Sequence, residues 1–140
     1  HRDRHDVVAF TCVSAGAKLS EVEREIYERG DYTEYYQFHG LGVELAEALA
    51  EIAHKQIRLD LGIAKEEGNK LSDVKMSAYE GCRYSFGYAA CPNLELNRPL
   101  FNLLKPEEFG IELSETFQIH PEQSTSALVV YHPSASYYNV

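Results

Sequence analysis

A chain of 140 residues has the length of a single domain. Apolar residues make up 44% of it and charged residues 25%, which excludes an intrinsically disordered, collagen-like or low-complexity protein. The 22 acidic and 13 basic side chains give a net charge of -9, opposite in sign to a nucleic-acid-binding surface. Since no apolar run is long enough to span a bilayer, we predict a globular domain that binds neither nucleic acid nor a membrane.

The cysteines and the first residue indicate where the chain comes from. Cys12, Cys82 and Cys91 form no CxxC motif and leave at least one thiol unpaired, which is typical of a reducing compartment. We therefore predict a cytoplasmic protein whose thiols are reduced and structural. The chain begins at His1 and enters a strand-like run at once, which predicts that it is part of a longer protein.

The first two predicted elements are a strand and a helix. Residues 6–14 are short, apolar and rich in β-branched side chains, which predicts a buried strand. Ser20 is followed three residues later by Glu23, the spacing of a capping box, and Gly30 is a stop signal. This pattern predicts a helix over residues 21–29.

The longest periodic segment, residues 40–62, predicts one long amphipathic helix that ends at Gly62. Its apolar stripe consists of Leu45, Leu49, Ile52 and Ile57. The opposite stripe carries charged and polar side chains: Glu44, Glu47, Glu51, His54 and Arg58. A stripe of this kind is usually exposed, so we predict that its residues, Glu47 excepted, face solvent.

The second half of the chain mixes helix and strand. Residues 64–76 predict a polar loop, residues 81–92 a structured loop, and Asn97 to Pro106 a short helix. Apolar and polar side chains alternate over residues 111–119, which predicts a half-buried strand; two more strands, residues 124–133 and 136–140, follow with a turn at positions 132–135. Because these elements lack a βαβ rhythm, we predict an α+β fold, with a twisted antiparallel sheet, one long amphipathic helix and shorter helices.

Familiar catalytic and metal motifs are missing from the sequence. No GxSxG element surrounds a serine, and the six histidines form neither HxH nor HExxH. The sequence therefore predicts no catalytic nucleophile or general base and no protein-bound metal.

The loop GCRYSFGYAACP is dense in glycine and aromatic residues. Gly87 allows a positive φ or a close backbone approach, and the planar guanidinium of Arg83 matches a carboxylate. Such a loop is able to hold a small zwitterion. In the alternative interpretation, Arg83 pairs with a surface carboxylate and the aromatic rings pack into the core, and composition alone favours that alternative.

Three motifs in order along the chain resemble one family. The pattern RxxxGYxxCP, from Arg83 to Pro92, resembles the S-adenosylmethionine-binding motif of the activation (reactivation) domain of cobalamin-dependent methionine synthase. LAEALAEIAHKQIR, residues 45–58, is similar to the long helix of that domain, and QSTSALVVYHPSASYYNV, residues 123–140, to its closing strands. The resemblance implies that residues 1–140 are a single domain, the C-terminal portion of an activation domain.

The resemblance also implies a function. Such a domain binds S-adenosyl-L-methionine and presents its methyl group to cobalamin held by a partner domain. With an electron from flavodoxin or an equivalent reductase, reductive methylation returns inactive cob(II)alamin to methylcobalamin, so the whole protein is a methyltransferase. A sulfonium is a permanent cation, so this reaction needs no general acid or base. The alternatives are a non-catalytic docking module for flavodoxin and the cobalamin domain, or an activator of another corrinoid protein.

Seven residues are implied to bind the ligand: Arg83, Tyr84, Gly87, Tyr88, Glu47, Tyr137 and Tyr138. Arg83 would pair with the ligand's carboxylate, and Glu47 would accept hydrogen bonds from its amino or hydroxyl groups. The backbone at Tyr84 would contact the adenine or ribose end, and Tyr88 would shape the pocket beside Gly87. Tyr137 and Tyr138 would supply a wall and hydroxyl donors. The family's domain is longer than this chain, and its acidic residue that contacts the amino group lies in the missing upstream part.

Overall fold

A computed structural model describes residues 7–64, 79–132 and 135. Its elements are β1 (Val8–Ser14), α1 (Ala17–Glu28), α2 (Tyr32–Asp60), β2 (Cys82–Ser85), α3 (Asn97–Leu104), β3 (Glu112–Leu113), β4 (Ile119–His120) and β5 (Ser124–Val130). Within these ranges no helix has the length and apolarity needed to cross a membrane. The predicted loop over residues 65–76 and the predicted strand over residues 136–140 lie outside the described residues.

The main sheet has three antiparallel strands in the order β1-β5-β2. Val8 of β1 lies opposite Val130 and Ser14 opposite Ser124, so β1 pairs with β5 over its whole length. β2 pairs with the other side of β5, with Cys82 opposite Val130. The sheet and the helices around it confirm the α+β prediction, and β2 lies at an edge.

The two faces of this sheet are covered differently. On one face, side chains of β1 and β5 pack against an apolar cluster that we call the α3 cluster: Phe86, Leu100, Phe101 and Ile111. The opposite face is covered by α2, which packs against both β1 and β5. Successive strand residues point to opposite faces, and Leu128 packs on the α3 cluster, so the buried Ala127 and Val129 point toward α2.

The apolar stripe of α2 is not the buried face of the helix, contrary to the prediction. Leu45 and Ile52 are 43% and 66% exposed, and Leu49 and Ile57 are only partly buried. The buried residues of α2 recur every four positions instead: Gly42, Ala46, Ala50, His54 and Arg58. The small residues Gly42, Ala46 and Ala50 let this side of the helix lie close to the sheet.

His54 and Arg58, which we predicted to be exposed, are 0% and 3% exposed. Both lie against Tyr79 just before β2. The His54 ring meets the Tyr79 ring edge-on at 5.2 Å between centroids, and the Arg58 guanidinium lies 3.8 Å above the Tyr79 centroid. A cation over an aromatic face is attracted by the ring quadrupole, so this contact offsets part of the cost of burying the arginine.

The start of α2 also differs from the prediction. The helix begins eight residues before Gly40, where the Asp31 carboxylate accepts the Glu34 backbone N–H at 3.0 Å. Gly42 lies inside the helix, and a Cβ there would be 2.7 Å from a Leu19 methyl carbon and 2.8 Å from Cγ of Gln123. This glycine allows close packing and does not open the helix. The predicted end at Gly62, whose φ is +72°, is confirmed within two residues.

The predicted capping box of α1 is wrong. The helix begins at Ala17 with Gly16 as its N-cap, and no side chain caps it. The hydroxyl of Ser20 instead donates to Gln123 at 2.9 Å, and Glu23 is buried within the fold. The end at Gly30, with a φ of +78°, is confirmed.

The single strand predicted over residues 111–119 is replaced by a hairpin of β3 and β4. Phe117 interrupts the alternation because its φ is +63°, a left-handed conformation that cannot continue a strand. The predictions of β1, α3 and β5 are confirmed. At the turn after β5, Ala135 N–H donates to the His132 carbonyl at 2.9 Å, as expected for the predicted turn.

Candidate functional site

The candidate site is built around Arg83, which lies in a strand and not in the predicted loop. Cys82–Ser85 pairs with β5 as the edge strand β2, and only the residues after it turn back. Arg83 is opposite Val129, whose side chain faces α2. The pleat of the strand therefore directs the guanidinium toward the helix that carries Glu47.

Arg83 joins β2 to two consecutive turns of α2. Its Nη2 donates to Oε2 of Glu47 at 2.8 Å and to Oε1 of Glu51 at 3.2 Å. The second oxygen of Glu51 accepts the Tyr79 hydroxyl at 3.0 Å. The Arg83 side chain is 12% exposed, whereas that of Glu47 is 48% exposed. The structure thus brings Arg83 and Glu47 together, and it adds Glu51 and Tyr79.

The Arg83 guanidinium is charged, and one of its nitrogens has no partner among the described residues. Burial acts to lower the pKa of Arg83, but hydrogen bonds and charges from Glu47 and then Glu51 outweigh it and raise the pKa. Arg83 therefore stays cationic. Its buried Nε–H has no hydrogen-bond partner among the described residues. A buried donor without a partner costs about 1–3 kcal/mol, so an acceptor placed there gains that much.

The turn after β2 positions Gly87 and Tyr88. Gly87 N–H donates to the Cys91 carbonyl at 2.8 Å, and Cys91 N–H donates to the Tyr88 carbonyl at 2.9 Å. Gly87 has a φ of +89°, and a Cβ there would lie 2.7 Å from a methyl carbon of Leu94. The positive φ and the close approach that were predicted for Gly87 are both present, and the close approach is to the Leu94 side chain.

The aromatic residues of this segment divide between the core and the surface. Phe86 belongs to the α3 cluster, as in the structural alternative, whereas Tyr88 is 60% exposed. Both border a cavity of about 470 Å³. Tyr84 is opposite Leu128, so its side chain points away from the Arg83 face. The predicted contact between Tyr84 and the ligand involves the backbone of Tyr84, so the direction of its side chain does not affect that prediction.

Tyr137 and Tyr138 lie outside the described residues. Glu51 and Tyr79 are the residues that sequence reasoning missed. A signal for Glu51 exists, because it follows Glu47 by four residues and shares its side of the helix. Tyr79 had none, since its position depends on how the chain enters β2.

All three cysteines are free thiols in the structure. Burial, with a smaller contribution from Glu107, raises the pKa of Cys12 to about 11. Burial also raises the pKa of Cys82. Because a thiolate is the nucleophilic form, neither residue is suited to covalent catalysis at neutral pH.

The chain is similar to one family of known proteins. Residues 1–140 match the family model described as vitamin B12 dependent methionine synthase, activation domain. The methionine synthase of Mycobacterium tuberculosis (strain ATCC 25618 / H37Rv) is 41% identical over 145 residues, and that of Mycobacterium leprae (strain TN) is 39% identical over 145 residues. Each alignment covers 99% of this chain but 12% of the relative, so the chain spans a small part of the relatives' length.

A solved structure has the same fold. The crystal structure of the MetH reactivation domain bound to AdoHcy matches this chain with a TM-score of 0.86 and 27% sequence identity. The match covers 94% of this chain and 41% of the other.

Proposed function

The chain belongs to the vitamin B12-dependent methionine synthase activation-domain family, and we propose that it binds S-adenosylmethionine at the edge of its sheet. Arg83 and Glu47 hold the amino-acid end of the ligand, and the backbone at Tyr84 and the turn at Gly87 and Tyr88 lie along the rest of it. Tyr137 and Tyr138 complete the site. In this proposal residues 1–140 form the C-terminal portion of an activation domain.

The single observation that carries this proposal is the state of the Arg83 guanidinium. Its Nη2 is held by α2, whereas its buried Nε–H has no partner among the described residues. The α-carboxylate of the ligand is an acceptor that fits this donor and keeps the Glu47 contact intact. The half-exposed Glu47 is then next to the ligand's ammonium group. A zwitterion therefore finds both complementary charges side by side.

In this proposal the protein supplies no acid, base or nucleophile to the reaction. When bound, S-adenosylmethionine supplies an electrophilic methyl group on a sulfonium. The described residues around Arg83 then have one task, to hold the amino-acid end so that the methyl group has a fixed direction. In the whole protein, a cytoplasmic methyltransferase, the receiving cobalamin sits on a neighbouring domain and flavodoxin or an equivalent reductase supplies the electron. The AdoHcy in the related reactivation domain supports this assignment, because AdoHcy is what remains after methyl transfer.

Isothermal titration calorimetry of this chain with S-adenosylmethionine and with 5′-methylthioadenosine tests the proposal. Methylthioadenosine has the same nucleoside but no amino-acid end. We expect S-adenosylmethionine to bind at least about tenfold more tightly, because the Arg83 and Glu47 contacts are lost with the smaller ligand. Arg98→Ala, which removes an exposed arginine stacked near Phe117, is the control and should bind as the parent does. An absence of heat with either ligand at millimolar concentration would favour the docking-module alternative.

A further inference from the structure

A second polar cluster lies away from Arg83, where three elements converge. Glu23 comes from α1, His39 from α2, and Glu122 from the turn between β4 and β5. One metal-binding atom of each lies within 4.8 Å of the other two. We propose that Glu23, His39 and Glu122 bind one divalent transition-metal ion, of which Zn²⁺ is the best match.

The burial of Glu23 is the first argument. This residue is 5% exposed, and within residues 7–64, 79–132 and 135 no lysine or arginine forms an ion pair with it. One carboxylate oxygen accepts from the Gln123 amide, and the other contacts Nδ1 of His39. A bound cation would neutralise this buried carboxylate, because buried charges are paired or coordinate metals.

The chemical types of the three ligand atoms indicate which metal ion the cluster would bind. Two carboxylate oxygens and one imidazole nitrogen suit Zn²⁺ and its neighbours, whereas Ca²⁺ and Mg²⁺ prefer oxygen ligands alone. Around a tetrahedral ion with bonds of about 2.1 Å, ligand atoms lie about 3.4 Å apart. The spacing of up to 4.8 Å must therefore shrink by somewhat more than an ångström. Glu122 is exposed on a turn, so its side chain is free to make that movement.

The surroundings support the ligands as they do in known metal sites. The Ser20 hydroxyl donates to Oε1 of Gln123 at 2.9 Å, and Gln123 in turn donates to Glu23. This chain of hydrogen bonds fixes the orientation of the buried carboxylate. A cavity of about 380 Å³, bordered by Glu23, Glu122 and His120, opens beside the cluster. It gives an ion a path of entry and space for further ligands.

No local sequence motif contains this cluster. Its residues lie at positions 23, 39 and 122, so no local spacing of histidines indicates it. The prediction that the protein binds no metal relied on local spacing, which does not reveal ligands that the fold brings together from distant positions.

The test is calorimetry of the metal-free chain with ZnCl₂, followed by Co²⁺ substitution and visible absorption spectroscopy. We expect one ion per chain, with a dissociation constant in the micromolar range or tighter. The Co²⁺ form should show the intense visible d–d bands of a four-coordinate ion and not the weak bands of a six-coordinate one. His39→Gln and Glu122→Gln should each weaken binding at least about tenfold. Glu115→Gln, at an exposed turn position, is the control and should leave binding unchanged.

The amino-terminal His1 and His5 are a competing source of metal ligands, so the double variant His1→Gln/His5→Gln is measured as well. It should retain the binding. The proposal is overturned if the parent chain binds no Zn²⁺, if His39→Gln and Glu122→Gln bind as tightly as the parent, or if binding disappears with His1 and His5. Circular dichroism of each variant establishes that it is folded, and Glu122→Gln, at an exposed position, is the variant least able to disturb the fold.

Discussion

The two faces of the three-stranded sheet differ in the polarity of the residues that cover them. The α3 cluster on one face is apolar, and its Phe101 is 2% exposed. On the other face α2 contributes small residues and, at its margin, the charged group of Arg83, Glu47 and Glu51. The first face thus carries the apolar core, whereas the second face holds the charged group that we propose for ligand binding.

This difference follows from where the strands lie. β5 is central and pairs with a strand on each side, and its Ser126, Ala127 and Val129 are buried. β2 is an edge strand, and Arg83 on it reaches α2 at the margin of the protein. The buried Nε–H of Arg83 has no partner among the described residues, and in the complex that we propose the ligand supplies its acceptor. Variants on the two faces should therefore separate stability from binding.

The largest effect is expected from Phe101→Ala in the α3 cluster. Removing a fully buried aromatic ring leaves a cavity and costs about 3–5 kcal/mol in the free energy of unfolding. Urea denaturation followed by circular dichroism measures this loss. Leu103→Ala in the same helix is the control, since Leu103 is 63% exposed, and it should change the free energy by at most about 0.5 kcal/mol. A loss below about 1 kcal/mol for Phe101→Ala would contradict the proposed division.

The next effect concerns Cys12, which packs on the α3 cluster from β1. The folded thiol keeps its proton up to about pH 11, whereas the unfolded thiol ionises near its ordinary pKa of 9.0. Its stabilising contribution is therefore complete below pH 9 and is lost as the pH rises toward 11, a change of about 2–3 kcal/mol. Denaturation curves at several alkaline pH values, compared between the parent and Cys12→Ala, isolate this contribution. Parallel pH dependences in the two proteins would show that Cys12 is not protected by the cluster.

On the opposite face, Arg83→Ala should change binding more than stability. Loss of a charge-assisted hydrogen bond to the ligand's carboxylate costs about 1.5–3 kcal/mol, or about ten- to a hundredfold in the dissociation constant for S-adenosylmethionine. Arg83→Lys should recover part of this loss, because an ammonium cannot reproduce the planar fork. Calorimetry gives the affinities, and denaturation should show a loss of about 1–2 kcal/mol, because two charge-assisted hydrogen bonds disappear while Glu47 and Glu51 are still reached by water. If Arg83→Ala unfolds the protein, the arginine has a structural role.

The smallest expected effect is that of Glu47→Gln. The amide still accepts from Arg83 but no longer attracts the ligand's ammonium group, and at a half-exposed position this charge contributes about 0.5–1 kcal/mol. We expect two- to fivefold weaker S-adenosylmethionine binding by calorimetry, with methylthioadenosine unaffected. Glu44→Gln, an exposed position on the same helix, should match the parent. Equal weakening for both ligands would place Glu47 away from the amino-acid end.

Sequence reasoning located most of the elements but not which sides of them are buried. The period of α2 is evident in its leucines, but the period alone does not say that the stripe of Ala46 and Ala50 faces the sheet. That choice depends on how closely the helix approaches β1 and β5, which is a tertiary property. The hairpin at Phe117 was missed for a similar reason, since a left-handed non-glycine residue has no pattern in the sequence.

Less of the candidate site than of the fold could be predicted from residue chemistry alone. Residue chemistry alone singled out Arg83 as a partner for a carboxylate, but it favoured a structural pairing. That pairing exists, with Glu47 and Glu51, and it leaves Nε unsatisfied. The link between Arg83 and Glu47, 36 residues apart, came from the family resemblance, because no local pattern joins a strand to a helix across that distance.

The Nε–H resonance of Arg83 tests the central proposal most directly. Nuclear magnetic resonance spectra of the ¹⁵N-labelled chain, assigned at this position with Arg83→Lys, are recorded while S-adenosyl-L-homocysteine is added. We expect the Arg83 Nε–H signal to shift strongly as it gains an acceptor, together with backbone signals of β2 and of the α2 turns at Glu47 and Glu51. An unchanged Arg83 signal, with shifts confined to the α3 cluster face or absent altogether, would contradict the account.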